Sequence, residues 1–174
     1  MIDLQYPIGK YEVQPFSEAL TKEWLLSVQS LPLVLETAIL NLDEQQLNTP
    51  YREGGWTVKQ VVHHLADSHM NAYLRFKFGF TEDNFIIKPY NEALWAELND
   101  VHELPINVST TLLHALHKRF YSFLQAFTLN DFERIVFHPE HNKNFTLWQL
   151  LGMYAWHGKH HVAHITSLRE RMKW

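Results

Sequence analysis

Hydrophobic positions that recur every three to four residues mark the longest segments of this 174-residue chain as helices. Trp24, Leu25, Val28, Leu31, Leu35, Ile39 and Leu42 fall at that spacing and predict a first helix from about Ser17 to Leu42, with Pro32 as a kink. The turn-rich stretch NTPYREGGW follows. A second helix is expected from Thr57 to about Phe80. It opens on a capping box, in which Thr57 accepts from the Gln60 amide while the Gln60 side chain reaches back to the Thr57 amide. Gly54 and Gly55 suit a tight turn just before it. After a loop containing Pro89 and a short helix near Asn91 to Leu98, Ser109 to Phe127 reads as the third long helix, with Ser109 as its N-cap. Residues 128 to 145 leave two readings open, a short hairpin turning at Pro139 to Asn142 or a plain loop. The last helix is expected from Thr146 to about Met172, behind a second capping box made by Thr146 and Gln149.

Four long helices predict an all-α four-helix bundle, in up-down order. The 46% hydrophobic content is enough to close one core, so residues 1–174 are expected to form one domain. No period of 20 to 50 residues is present, which sets aside solenoids and propellers.

Composition narrows the chemistry. The chain has no Cys, so disulfides, thiolate ligands and a cysteine nucleophile are excluded, and any metal must be held by His, Asp or Glu. The N-terminus lacks a basic stretch followed by an apolar one, and no apolar run reaches the ~18 residues of a membrane span, so a soluble, unprocessed, cytoplasmic protein is expected. With Lys+Arg 15 against Asp+Glu 19 and no basic run, nucleic acid is not an expected partner. The anomaly is 12 His, scattered rather than tag-like.

Four of those histidines crowd into WHGKHHVAH, residues 156 to 164. At ~100° per residue, Leu147, Leu150, Leu151, Tyr154, Val162, Ile165, Leu168 and Met172 define one apolar face. His161 lies near its centre and His157 near its edge, while His160 and His164 lie further round, towards Gln149, Ser167 and Arg171. Side chains four apart stack on one face, so His157 and His161 make the better pair for one ion. A third ligand must come from elsewhere, and VVHHLADSH on the second helix offers His63, His64 and His69. Periodicity there favours His69 as core-facing, puts His64 on a flank and turns His63 outward. A lone histidine on an apolar face is more often a hydrogen-bonded core residue than a ligand; a second cluster near the start of another long helix makes the metal reading competitive.

PYREGGWTVKQVVHHLADSHMN, KPYNEALWAEL and YAWHGKHHVAHITSLRERMKW closely resemble the YfiT family of Bacillus, within the DinB/YfiT superfamily, and the likeness runs from YPIGKY to the C-terminus. The resemblance implies a four-helix bundle holding one divalent ion, zinc or nickel, through three histidines. Those are the His before Leu-Ala, here His64, and the H-x-x-x-H that follows the Trp of the last helix, here His157 and His161. It thus agrees with the helix-face choice on the last helix and overrules it on the second. His63, His69, His160 and His164 become supporting, structural or surface residues. The resemblance also implies a metal-dependent hydrolase acting on a small molecule, and a homodimer.

Three imidazoles leave a coordination position open, the arrangement of a catalytic rather than a structural site. A water there would ionise near neutral pH and attack a polarised carbonyl or phosphoryl group, which is the hydrolase reading. The rival uses the same position for the thiolate of a low-molecular-weight thiol such as bacillithiol, presented to an electrophile by an S-transferase. A third reading is a non-catalytic metal-binding stress-response module, which would need a fourth protein ligand. HExxH, G-x-S-x-G, the P-loop and G-x-G-x-x-G are all absent, so a zincin protease is not expected. The catalytic residues stay unassigned; His160, His69 and Asp67 are the candidates for a general base. Trp56 and Trp156 flank the two histidine segments and would line a pocket mouth or simply fill core.

Overall fold

The computed structural model describes residues 3–174. Its four long helices are α1 (Glu18–Ile39), α3 (Val58–Thr81), α6 (Ile106–Leu124) and α8 (Leu147–Met172). Short helical turns α2 (Glu44–Leu47), α4 (Glu92–Trp95), α5 (Asn99–Glu103) and α7 (Leu129–Glu133) fill the connections. Both capping boxes form: Thr57 Oγ1 accepts from the Gln60 amide at 3.1 Å and Gln60 Oε1 from the Thr57 amide at 2.9 Å, and Thr146 and Gln149 do the same at 3.1 and 3.0 Å. The hairpin reading of residues 128 to 145 is the one realised, as β1 (Ile135–His138) and β2 (Lys143–Thr146) pair antiparallel and the Asn142 amide closes the turn on the Pro139 carbonyl at 3.1 Å. The third long helix differs from expectation. It starts at Ile106 behind Pro105, whose fixed φ suits a helix start, and Ser109 lies inside it with its hydroxyl 2.8 Å from Nδ1 of His63.

The packing order is not that of a simple up-down ring. α1 packs on α6 and α8, α3 packs on the same two, and α1 and α3 lie diagonally. The 40–57 connection therefore crosses the bundle end instead of joining neighbours, with Gly54 at φ +63° supplying the left-handed residue of the turn before α3. α1 and α8 approach closely because Gly152 has no side chain: a Cβ there would stand 2.7 Å from the Trp24 ring and 2.6 Å from the Tyr11 hydroxyl.

The interior is divided. One apolar cluster holds Val28, Phe76, Phe120, Leu124, Leu147 and Leu151, and another holds Leu35, Val58, Val62, Leu113, Ile165 and Leu168. Along α3, α6 and α8 the residues between these clusters include His69, His117, His157 and His161, so a belt of imidazoles separates two hydrocarbon layers. Burying that many polar rings costs free energy unless their nitrogens find partners. Among the described residues, no helix is long and apolar enough to cross a membrane.

Candidate metal centre

Within that belt, His64 on α3 and His157 and His161 on α8 turn their ring nitrogens towards one another. Nε2 of His157 stands 3.3 Å from Nε2 of His64 and 3.1 Å from Nε2 of His161. The three form a group whose ligand atoms all lie within 4.8 Å of one another, the only such group of three or more metal-ligating side chains among the described residues. Two imidazole nitrogens each ~2.0–2.1 Å from one ion stand about 2.9 Å apart at a right angle and about 3.4 Å apart at the tetrahedral angle, so the observed separations are those of a shared ion. The far nitrogens of His157 and His161, both Nδ1, are buried without partners. The Nε2 atoms are therefore the ends of these two rings that converge on a common point, and three His donors fit a divalent cation.

Electrostatics favours the ligating form. Burial pushes the His64 imidazole down to about 4. It also holds His157 and His161 well below the ordinary range, helped by their proximity to other imidazoles. All three are neutral at pH 7, with lone pairs that no proton competes for.

The centre opens onto a cleft of about 390 Å³. Its walls come from α3 (His64, Ser68, Arg75), from α8 (Tyr154, His157, His161), and from a rim built by Tyr90, Glu92 and the hairpin residues His138 and Glu140. The rim is held because the chain before it pairs with β1: the Ile87 amide donates to the Phe137 carbonyl at 2.9 Å and the Phe137 amide to the Phe85 carbonyl at 3.0 Å. Trp56 and Trp156 both line the cleft, and the Trp56 ring lies 4.6 Å from that of His64. The pocket-mouth reading of these two tryptophans is the one realised.

The remaining histidines are placed differently from the periodicity argument. His69, its favoured candidate, is fully buried behind the site, with its ring 5.7 Å from that of His157 and neither of its nitrogens partnered. His64 replaces it because α3 is covered nearly all round: Val58, Val61, Val62, His63, His64, Leu65, Ala66, Ser68 and His69 are all buried, so one apolar face does not define "inward". For the same reason His63 is not outward but sealed against Ser109. His160 and His164, assigned to the polar side of α8, are buried at 8% and 2% exposure. They form a second pair, Nε2 to Nε2 3.0 Å, covered by the rings of Tyr6 and Tyr51. Among the described residues no third metal-ligating side chain joins them. Of the candidate general bases, none of Asp67, His69 and His160 lines the cleft. Sequence reasoning missed Arg75, Tyr90, Tyr154 and His138. For Arg75 a signal existed, since it follows His64 by about three turns and so shares its face.

Fold and centre together define a helical bundle of the metal-binding kind, and comparison with known proteins gives the family: residues 32–165 match the DinB superfamily, to which this chain belongs. It is 51% identical over 175 aligned residues, covering all of both chains, to proteins of Bacillus cereus and of Bacillus thuringiensis subsp. konkukian, whose names provisionally assign them a metal-dependent hydrolase activity. Among solved structures, it matches YfiT of Bacillus subtilis at 45% identity and a TM-score of 0.95 over 98% of each chain. That protein is described as a probable metal-dependent hydrolase with an unusual four-helix bundle topology.

Proposed function

We propose that the chain is a metal-dependent hydrolase of small molecules, with zinc or nickel held by His64, His157 and His161. The convergence of three Nε2 atoms at the floor of an open cleft carries the reading. All-imidazole donors suit either ion, and the cleft leaves room for a further ligand on the open side. A bound divalent ion supplies Lewis acidity, which strengthens a nucleophile and polarises the bond it attacks. The chain's own residues do the rest. His64 and His161 are fixed by Trp56, which packs on both rings. Trp56 and Trp156 narrow the cleft and limit water. The Tyr154 phenol, which burial holds above its ordinary pKa, stays protonated and is kept in place by Arg75 at 2.6 Å.

A second reading, a bacillithiol-type S-transferase, is favoured by one observation. No carboxylate among the described residues joins the three-His group, and the two that line the cleft, Glu92 and Glu140, are exposed rather than buried beside the ligands. A thiol brought by the substrate ionises more readily than water and has less need of a carboxylate base. We further propose a homodimer, supported by the exposed Leu26 and Leu33 on α1, and a cytoplasmic location, supported by the lack of Cys.

The deciding assay offers metal-loaded protein a panel of esters and amides in one arm and monochlorobimane with bacillithiol in the other, each repeated after chelation. Metal-dependent ester or amide cleavage without thiol supports the hydrolase. Metal-dependent conjugation that requires the thiol replaces it with the transferase.

A further inference from the structure

The metal reading uses Arg75 only to hold Tyr154 and leaves its charge in the cleft unanswered. Arg75 lines the cleft on the same face of α3 as His64. Its guanidinium donates through Nη1 to the Tyr154 hydroxyl at 2.6 Å and through Nη2 to the Lys88 carbonyl at 3.5 Å, and its Nε is buried without a partner. A guanidinium offers five N–H donors, so most of the fork is unspent. Among the described residues no carboxylate pairs with it: the ion pairs present are His102 with Glu97, His114 with Glu36, Arg134 with Asp83 and Lys159 with Glu23. Glu92 and Glu140 line the same cleft, but both are exposed and neither reaches ion-pair distance of Arg75. Burial lowers His138 as it lowers the three ligands, so these four rings do not share the positive charge.

A purely structural arginine would need only to tie residue 88 to the bundle, a task that neutral donors perform without leaving a cation half-buried and unpaired. A planar fork with no carboxylate partner, its guanidinium over the Tyr90 ring at 6.0 Å, is instead the usual receptor for a bidentate oxyanion in a cleft. The Tyr154 hydroxyl accepts from Arg75 and keeps its own proton free to donate to the same group. The Tyr154 ring lies 6.2 Å from that of His157, and Arg75, Tyr154 and the three histidines line one cleft of about 390 Å³, so a single small ligand can touch both ends.

We propose that the substrate carries an anionic oxygen group, a carboxylate or a phosphate, bound by Arg75 and Tyr154 while its reacting end faces His64, His157 and His161. This rests on the metal reading. It narrows the substrate class to short acidic molecules, whichever bond is cleaved or formed.

The test is calorimetric titration of metal-loaded protein with acetohydroxamate, the monohydroxamates of succinic, glutaric and adipic acids, and phosphonoacetohydroxamate. At one chain length the acid-ended ligand should bind roughly tenfold or more tightly than acetohydroxamate, as charge-assisted hydrogen bonds allow. The better of carboxylate and phosphonate identifies the anion. In Arg75→Met the ratio of the two affinities should fall to about one, and Arg75→Lys, which keeps the charge without the fork, should retain part of it. Absence of any preference in the unsubstituted chain, or a preference that survives Arg75→Met, overturns the proposal. Acetohydroxamate that binds equally well with and without metal would instead remove the metal reading beneath it.

Discussion

The buried imidazoles make the metal-free chain sensitive to acid over a defined window, and the size of the effect follows from their surroundings. His64 and His117 are each pushed down to about 4, chiefly by burial, whereas an unfolded chain binds these protons near the ordinary histidine value. Above about pH 6.5 both states carry neutral rings and the shift has no effect. As the pH falls from there towards 4, the unfolded state takes up protons that the folded state refuses, and stability drops. Each group contributes about 1.4 kcal/mol per pH unit, so two give a slope of about 2.7 and a total loss of about 7 kcal/mol by pH 4. That is comparable with the whole stability of an ordinary domain, about 5–15 kcal/mol; Asp67, raised to about 6 by burial, acts in the opposite sense, while His69, His157 and His161 shift in the same direction as His64 and His117. Urea unfolding in the presence of a chelator at pH 7, 6 and 5, followed by far-UV circular dichroism, should show this slope. His117→Gln keeps a donor for the Val28 carbonyl, which His117 Nδ1 contacts, and should reduce the slope by about one proton. A slope of less than one proton between pH 6.5 and 4.5 would refute the argument that these rings are buried neutral.

Metal addition at a hundredfold excess over its dissociation constant should raise stability by about 2.7 kcal/mol, and His161→Ala should abolish that gain. His164→Ala should keep it, because the His160–His164 pair has no third ligand; equal losses in both, read by thermal shift with added metal, would dismiss the assignment. His64→Ala should weaken metal binding by more than the ~10–100-fold typical of supporting residues, while His69→Ala should stay within that range. The reverse order in a competition titration would make His69 the ligand. Gly152→Leu should force the Trp24 ring away from α8 and cost about 1–3 kcal/mol in urea unfolding, and an unchanged midpoint would show that α1 and α8 do not meet there as described.

The sequence by itself determined what local rules govern. The helix starts at Thr57 and Thr146 are fixed by side chains three residues away, and the spacing of His157 and His161 makes them neighbours on any helix. The bundle followed from four apolar periods, and periodicity also chose His157 and His161, whereas His64 came from resemblance to a family and against periodicity. What only the tertiary structure decided lies between segments distant in sequence. The diagonal placement of α1 and α3 depends on which faces α6 and α8 cover. His64 rather than His69 converges on the nitrogens of His157 and His161 because α3 is enclosed on nearly all sides, so its inward direction is set by several separate neighbours and not by one apolar stripe. His160 and His164 are covered by Tyr6 and Tyr51, contributed from far along the chain, which no helical wheel of α8 contains. The same holds for the cleft: Arg75, Tyr154 and the hairpin come together there because burial and pairing act through space, while sequence patterns record only what repeats along the chain.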